Sequence, residues 1–170
     1  GKITSGSEQP FVKNRLVVIY PKDNLAGLTE LKDLANPDLK IVLAAKEVPV
    51  GGYSLDFLDK ASADPAFGAT FKDDVLANVV SYEDNVKAVL AKVALGEADA
   101  GIVYTTDAAT DPTLGTLAID DPYNVMASYP LVVLPAGPRP DLGRAFVDFV
   151  LSPQGQAILA SYGFLPPEGS

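Results

Sequence analysis

The 170 residues contain no cysteine and no histidine. Those two absences exclude disulfides, thiolate zinc sites, imidazole metal sites and nucleophile–histidine triads. They leave the compartment open, because a cysteine-free chain survives in oxidising and reducing spaces alike. No apolar run reaches the ~18 residues that span a bilayer. Positive charge is scarce too: 13 Lys and Arg stand against 22 Asp and Glu, a net charge of −9, with no basic cluster. That balance argues against nucleic acid or an anionic membrane surface as partner. Walker-type phosphate loops, a spaced GxGxxG and a GxSxG elbow are all missing, so nucleotide binding and serine-hydrolase chemistry have no footing. Gly1 opens the chain without a methionine or a signal-peptide pattern, which reads as trimming by processing or by design.

What is present is ordinary globular material. Hydrophobic residues make up 48% and charged residues 21%, enough apolar side chain for a core that needs no covalent staple. Short β-branched runs predict strands at Asn14 to Tyr20, Lys40 to Ala44, Asn78 to Tyr82, Ala98 to Tyr104, Thr116 to Ile119 and Tyr129 to Leu134. Helices are expected at Leu28 to Leu34, after Gly52 through Leu55 and Leu58, and from Asp84 to the stop at Gly96. The last of these carries Val86, Val89, Leu90 and Val93 on one face. Two more follow Pro140 and Pro153, while residues 60–74 read as a loop with at most one helical turn. Strands alternating with helices point to an α/β fold with a largely parallel sheet, and the tail after Phe164 reads as frayed.

Three strand-to-helix junctions hold the chemically interesting residues, since ligands of open α/β sheets sit beyond the carboxyl ends of strands. The first is Pro49-Val50-Gly51-Gly52, where glycines either let backbone approach a ligand or simply relieve a tight turn. At the second, Asp84 is the expected N-cap, with Asn85 and Val86 in the first turn. The third runs through Tyr104, Thr105, Thr106 and Asp107. Tyr104 there either presents its hydroxyl to a cleft or is a core tyrosine with a satisfied hydroxyl. Catalysis has little beyond the carboxylate pairs Asp73/Asp74 and Glu83/Asp84, whose bland reading is a solvated turn.

Several stretches, in this order, resemble the bacterial molybdate-binding proteins of ABC transporters: PFVKNRLVVIYPK, IVLAAKEVPVGGYSLDFL, DNVKAVLAKVALGEADAGIVYTTDA, YPLVVLP and FVDFVLSPQGQAILASYGF. GEADAGIVYTTDA is the most specific of them. The resemblance implies a periplasmic binding protein type II-like fold, in which two α/β lobes joined by crossover strands close on an oxyanion held by backbone amides and hydroxyls without a counter-charge. It assigns as donors the Val50 amide, the Val86 amide and the Tyr104 hydroxyl, with Pro49, Gly51, Asp84, Asn85, Thr105 and Asp107 supporting the site. Molybdate and tungstate are the implied ligands, with no metal-ion site and no cofactor; a donor-only site suits a fully deprotonated dianion, and cavity size would separate it from sulfate.

Two departures accompany the resemblance. Val50 stands where the family has a small alanine, which could narrow the pocket, and Gly52 where it has a larger residue. The family's N-terminal stretch, with its serine donors, has no counterpart here, and Gly1-Lys2-Ile3 resembles the point just before the first crossover strand. The implied division is therefore 1–20 as the end of an incomplete first lobe with a crossover strand, and 21–128 as the second, ligand-binding lobe. Residues 129–170 then form the return crossover strand and C-terminal helices of the first lobe. Those helices would leave Phe146, Phe149, Val150 and Ile158 uncovered and favour self-association. The implied protein is not an enzyme. Its implied setting is periplasmic or membrane-anchored outside the cell, with a membrane ABC permease as partner. The alternatives are the ligand-sensing domain of a transcription regulator, or a binder of sulfate or another small anion.

Overall fold

A computed structural model describes residues 7–134 and 137–167. The expectations placed on Gly1 to Ile3 and on the last three residues of the tail lie outside that range. The chain divides into two compact units, one drawn from Gly1–Asn14 with Met126–Ser170 and the other spanning Arg15–Val125.

The Arg15–Val125 unit is built on a five-stranded sheet, with strands β2 (Leu16–Pro21), β3 (Ile41–Ala44), β4 (Val79–Glu83), β5 (Ala100–Tyr104) and β6 (Leu114–Ala118) in the order β4-β3-β5-β2-β6. β3 pairs in parallel with both β4 and β5, whereas β2 runs antiparallel to β5 and β6. The sheet is therefore largely parallel in strand direction, with β2 running against the other four. The reversed strand, β2, carries no local signal of its direction. Burial tracks position: all of β3 is buried, as are the first four residues of β2 and of β5, while the edge strands β4 and β6 alternate.

Helices α1 (Pro49–Ser62) and α3 (Val86–Ala94) pack against β3 and β5, and α2 (Phe71–Ala77) packs against α1. Phe57, Leu58, Ala61, Phe71, Val75, Val89 and Val93 join the strand side chains in one core. Two sequence expectations change here. The stretch 60–74 is mostly helical at its ends, because Ala61 and Phe71, with Val75 just beyond, find core positions that small polar composition conceals. The expected helix at Leu28 to Leu34 is only a 3-10 turn, Leu31–Ala35, in which Asp33 accepts hydrogen bonds from the Thr29 and Glu30 amides.

The second unit pairs β1 (Gln9–Asn14) antiparallel with β7 (Ala127–Leu131), beside α5 (Pro140–Leu151) and α6 (Pro153–Ser161). The strand expected from Asn14 to Tyr20 is β2, which starts only at Leu16; Asn14 instead ends β1, a strand the sequence reading did not anticipate. Val12 and Val150 are buried, while Phe146, Phe149 and Ile158 are 59%, 44% and 47% exposed. Among the described residues no helix is long and apolar enough to cross a membrane.

Candidate functional site

The strand order decides where the three junctions fall. β4, β3 and β5 are adjacent and parallel, so their carboxyl ends lie side by side at one end of the sheet. β3 leads into α1, β4 into α3, and β5 into the four-residue helix α4 (Thr105–Ala108). The Ala45 amide donates to the Glu83 carbonyl at 2.8 Å, which ties the end of β3 to the end of β4. α3 packs on α4, which brings the second and third junctions together.

At the first junction the helix start is bare of side-chain caps: Val48, flanking α1, makes no side-chain capping bond. Pro49 occupies the first helical position and has no N–H to give. The Gly51 and Gly52 amides both turn back to the Val48 carbonyl, at 2.9 and 3.1 Å. Val50, between Pro49 and Gly51, lies in the first turn, where an amide has no intrahelical acceptor. Its side chain is only 1% exposed and packs in the core. Gly51 is buried, and a Cβ there would run into the backbone carbonyls of Ala44 and Ala45. The tight-turn reading of this glycine is the one its surroundings support.

The second junction shifts by one residue. The N-cap of α3 is Asn85, not Asp84: its Oδ1 accepts the Ala88 amide at 3.0 Å, and Val86 becomes the first helical residue. Asn85 wins because its backbone is extended (φ −162°, ψ 163°), the geometry that aims a short side chain at the third helical amide. The cap engages Ala88 through its side chain and Val89 through its carbonyl at 3.4 Å. Val86 and Lys87, at the first two positions, have no acceptor within the helix. Asp84 is left exposed.

At the third junction, Tyr104 ends β5 and flanks α4, half-buried, and the Thr105 amide donates to the Arg15 carbonyl at 3.0 Å. Burial pushes the Asp107 carboxyl above the ordinary aspartate range, against the pull of the Tyr104 amide and of Lys87. A cavity of about 650 Å³ opens nearby among Arg15, Thr116, Ile119, Asp120 and Asp121, and it meets the candidate site only at Thr105.

The carboxylate pairs behave differently from an acid/base couple. Glu83 bonds Lys92 and Ser81, both at 2.6 Å, and these partners hold its carboxyl below the usual range, the wrong direction for a general acid. Asp73 and Asp74 are exposed in the first turn of α2. Among the described residues no cluster of three or more acidic groups is placed to hold a metal ion.

Sequence reasoning missed Asn124. Buried at 4% exposure, its side chain accepts the Leu16 amide at 3.0 Å and donates to the Leu16 and Ile119 carbonyls at 2.9 and 3.0 Å. Beside it the Tyr123 hydroxyl donates to Asp64 at 2.6 Å, and Arg15 pairs with Asp121. An asparagine in a polar stretch carries no periodic signal, so only its position reveals it.

Residues 1–165 match the family described as bacterial extracellular solute-binding protein. The molybdate-binding protein ModA of Mycobacterium tuberculosis is 30% identical over 166 residues, covering 97% of this chain and 59% of that protein. A putative ABC transporter substrate-binding lipoprotein of Bacillus subtilis, YvgL, is 28% identical over 167 residues, covering 96% of this chain and 60% of its own length. Among solved structures, the substrate-binding domain of a putative molybdenum ABC transporter from Clostridium difficile superposes with a TM-score of 0.78 at 30% identity, covering 98% of this chain and 69% of that one. The chain thus spans about six tenths of the length of these curated relatives.

Proposed function

Because the chain belongs to the bacterial extracellular solute-binding proteins, we propose that it is part of the oxyanion-binding component of an ABC transporter, with molybdate or tungstate as ligand. The donors are the Val50 amide, the Val86 amide and the Tyr104 hydroxyl; Pro49, Gly51, Asn85, Thr105 and Asp107 shape the backbone around them, and Asp84 leads into the second junction. The observation that carries this reading is the pair of adjacent helix starts at the carboxyl ends of β3 and β4, each with an amide that its own helix leaves unused. Such amides suit an anion that needs donors and no acceptor. The molybdate named for the mycobacterial relative agrees with that chemistry.

Calorimetry with molybdate, tungstate, sulfate and phosphate tests it, on this chain and on a version extended to the relatives' full length. Molybdate and tungstate are expected to bind more tightly than sulfate. Tyr104→Phe removes one donor to a charged ligand, a loss of about 1.5–3 kcal/mol, or roughly 10- to 100-fold in affinity. If neither version gives heat with any of the four anions, the proposal fails.

The same reading places the protein outside the cytoplasm, periplasmic or membrane-anchored, where it hands the anion to a membrane permease; the lipoprotein description of the B. subtilis relative supports an anchored setting. It is a binding protein without catalysis. Self-association is also proposed, through the apolar faces of α5 and α6. Phe146, Phe149 and Ile158 flank a cavity of about 300 Å³ whose floor is Val150 and Leu131. Light scattering should give a mass above that of one chain, and Phe146→Asp with Ile158→Asp should restore the monomer. A parent protein that is monomeric at every concentration tried overturns this part alone.

A further inference from the structure

We infer that Lys92 is a positioning residue for the proposed oxyanion site: it holds the Glu83 carboxylate against Ser81, cancels its charge and fixes how α3 sits on the end of β4. The inference rests on the proposed donor role of Val86. Its geometry is a closed triangle of polar contacts. The Lys92 ammonium lies 2.6 Å from Glu83 Oε1 and donates to Ser81 Oγ at 3.1 Å, while the Ser81 hydroxyl donates to the same Glu83 oxygen at 2.6 Å. Ser81 and Glu83 are two positions apart on a strand, so they share the face that α3 covers. Val80 and Tyr82, on the other face, are 57% and 54% exposed.

Two further contacts give the pair its consequence. The Glu83 carbonyl accepts the Ala45 amide at 2.8 Å, so one residue is bonded through its backbone to the end of β3 and through its side chain to α3. β3 runs on to the start of α1 with Val50, and α3 begins at Val86. The apolar seat of α3 is narrow: Val89 and Val93 press on β5 at Gly101, where a Cβ would come within 2.8 and 3.1 Å of their methyls. A helix seated along one such line can roll, and a polar tie to β4, two strands away, opposes the roll. Charge is the second consequence. The Glu83 side chain is 14% exposed and, three residues before Val86, lies within about 10 Å of it along the chain. Burying a carboxylate is unfavourable unless it is paired, and the pairing wins here: Lys92 and Ser81 hold the carboxyl below the ordinary glutamate range against the opposing effect of burial. Of the elements packed on β4, β3 brings no titratable side chain and α3 brings Lys87 and Lys92, of which Lys92 makes the contact. Without it, a bare negative charge would stand beside a site for a dianion.

The test compares the parent with Lys92→Met, Glu83→Gln and the double variant. By NMR without ligand, the Glu83 carboxyl of the parent should titrate below the ordinary glutamate value. In Lys92→Met its midpoint should rise and the Val86 amide resonance should move. Molybdate binding at neutral pH and low ionic strength, on this chain and on the version extended to the relatives' length, separates charge from support. A unit charge about 10 Å from a dianion changes affinity roughly fourfold in water, and more where solvent is excluded. Lys92→Met should therefore weaken binding by about fourfold or more. Glu83→Gln keeps an acceptor for Ser81 and Lys92 but leaves the ammonium uncancelled, and should tighten binding by about threefold. The double variant should recover most of the Lys92→Met loss. A pair that only braces the fold predicts the opposite: both single variants weaken binding and the double is no better than either. That result, or a Glu83 midpoint unmoved in Lys92→Met, overturns the inference. If no version binds molybdate, the functional reading fails, and the Glu83 titration with the Val86 resonance still decides whether Lys92 holds this end of α3.

Discussion

Gly51→Ala is expected to lower the unfolding free energy by about 3 kcal/mol, the upper part of the range for forcing an atom into a packed site. The reason is what the new methyl would meet. Its Cβ would lie well inside contact distance of the Ala44 and Ala45 carbonyl oxygens, which are backbone and cannot swing aside. Relief requires the start of α1 to lift from the end of β3, and that start holds the Val50 amide. The variant should therefore lose oxyanion affinity along with stability. Gly52→Ala is the control. Its Cβ would meet only the Lys46 carbonyl, at 3.5 Å, an ordinary contact, and the position is helical. Alanine there is expected to be neutral or stabilising by up to about 1 kcal/mol, because it restricts the unfolded chain and favours the helix. Urea denaturation of the three proteins measures both values, and a Gly51→Ala variant within 1 kcal/mol of the parent would refute the close-approach argument.

How much of this was legible beforehand depends on whether a feature is local. β3 and β5 are short apolar runs that remain buried on both faces, and α3 shows helical spacing through Val89 and Val93, so their type could be read from composition and period alone. The direction of β2 could not. It depends on which neighbours the strand finds, β5 and β6, and Leu16 to Pro21 would look the same in either orientation. α2 was hidden for a related reason: it places just Phe71 and Val75 in the core, too few to make a period visible. The candidate site divides the same way. Residue types at the three junctions stood out in the sequence, but the one-residue shift of the cap from Asp84 to Asn85 is set by backbone angles, and it changes which amides of α3 the cap consumes. That the junctions share one end of the sheet follows from the order β4-β3-β5, which no local pattern encodes. The assignment of donors came from the family resemblance, and geometry supplies the reason such donors could serve.

The largest loss is expected from the residue the sequence hid. Asn124→Ala should cost about 3–5 kcal/mol, because it strips partners from three backbone groups at once: the Leu16 amide, the Leu16 carbonyl and the Ile119 carbonyl. Each buried group left unsatisfied costs about 1–3 kcal/mol, and water entering the gap returns part of that. An isosteric change separates hydrogen bonding from packing. Asn124→Asp keeps the acceptor for the Leu16 amide but sets a carboxylate oxygen against two carbonyls, where only a protonated acid can donate. The folded-state pKa of that aspartate must then rise above its unfolded value of about 3.9. An acid whose folded pKa is raised loses stability as pH climbs from the unfolded pKa through the folded one. Relative to the parent at each pH, Asn124→Asp should therefore be least damaged in acid and most damaged at neutrality, while the deficit of Asn124→Ala stays flat. Guanidinium unfolding curves at several pH values read both behaviours directly. Parallel pH profiles for the two variants would mean that Asn124 serves by filling space, and that the chain just ahead of the division at Val125 is held by Arg15–Asp121 and Tyr123–Asp64 instead.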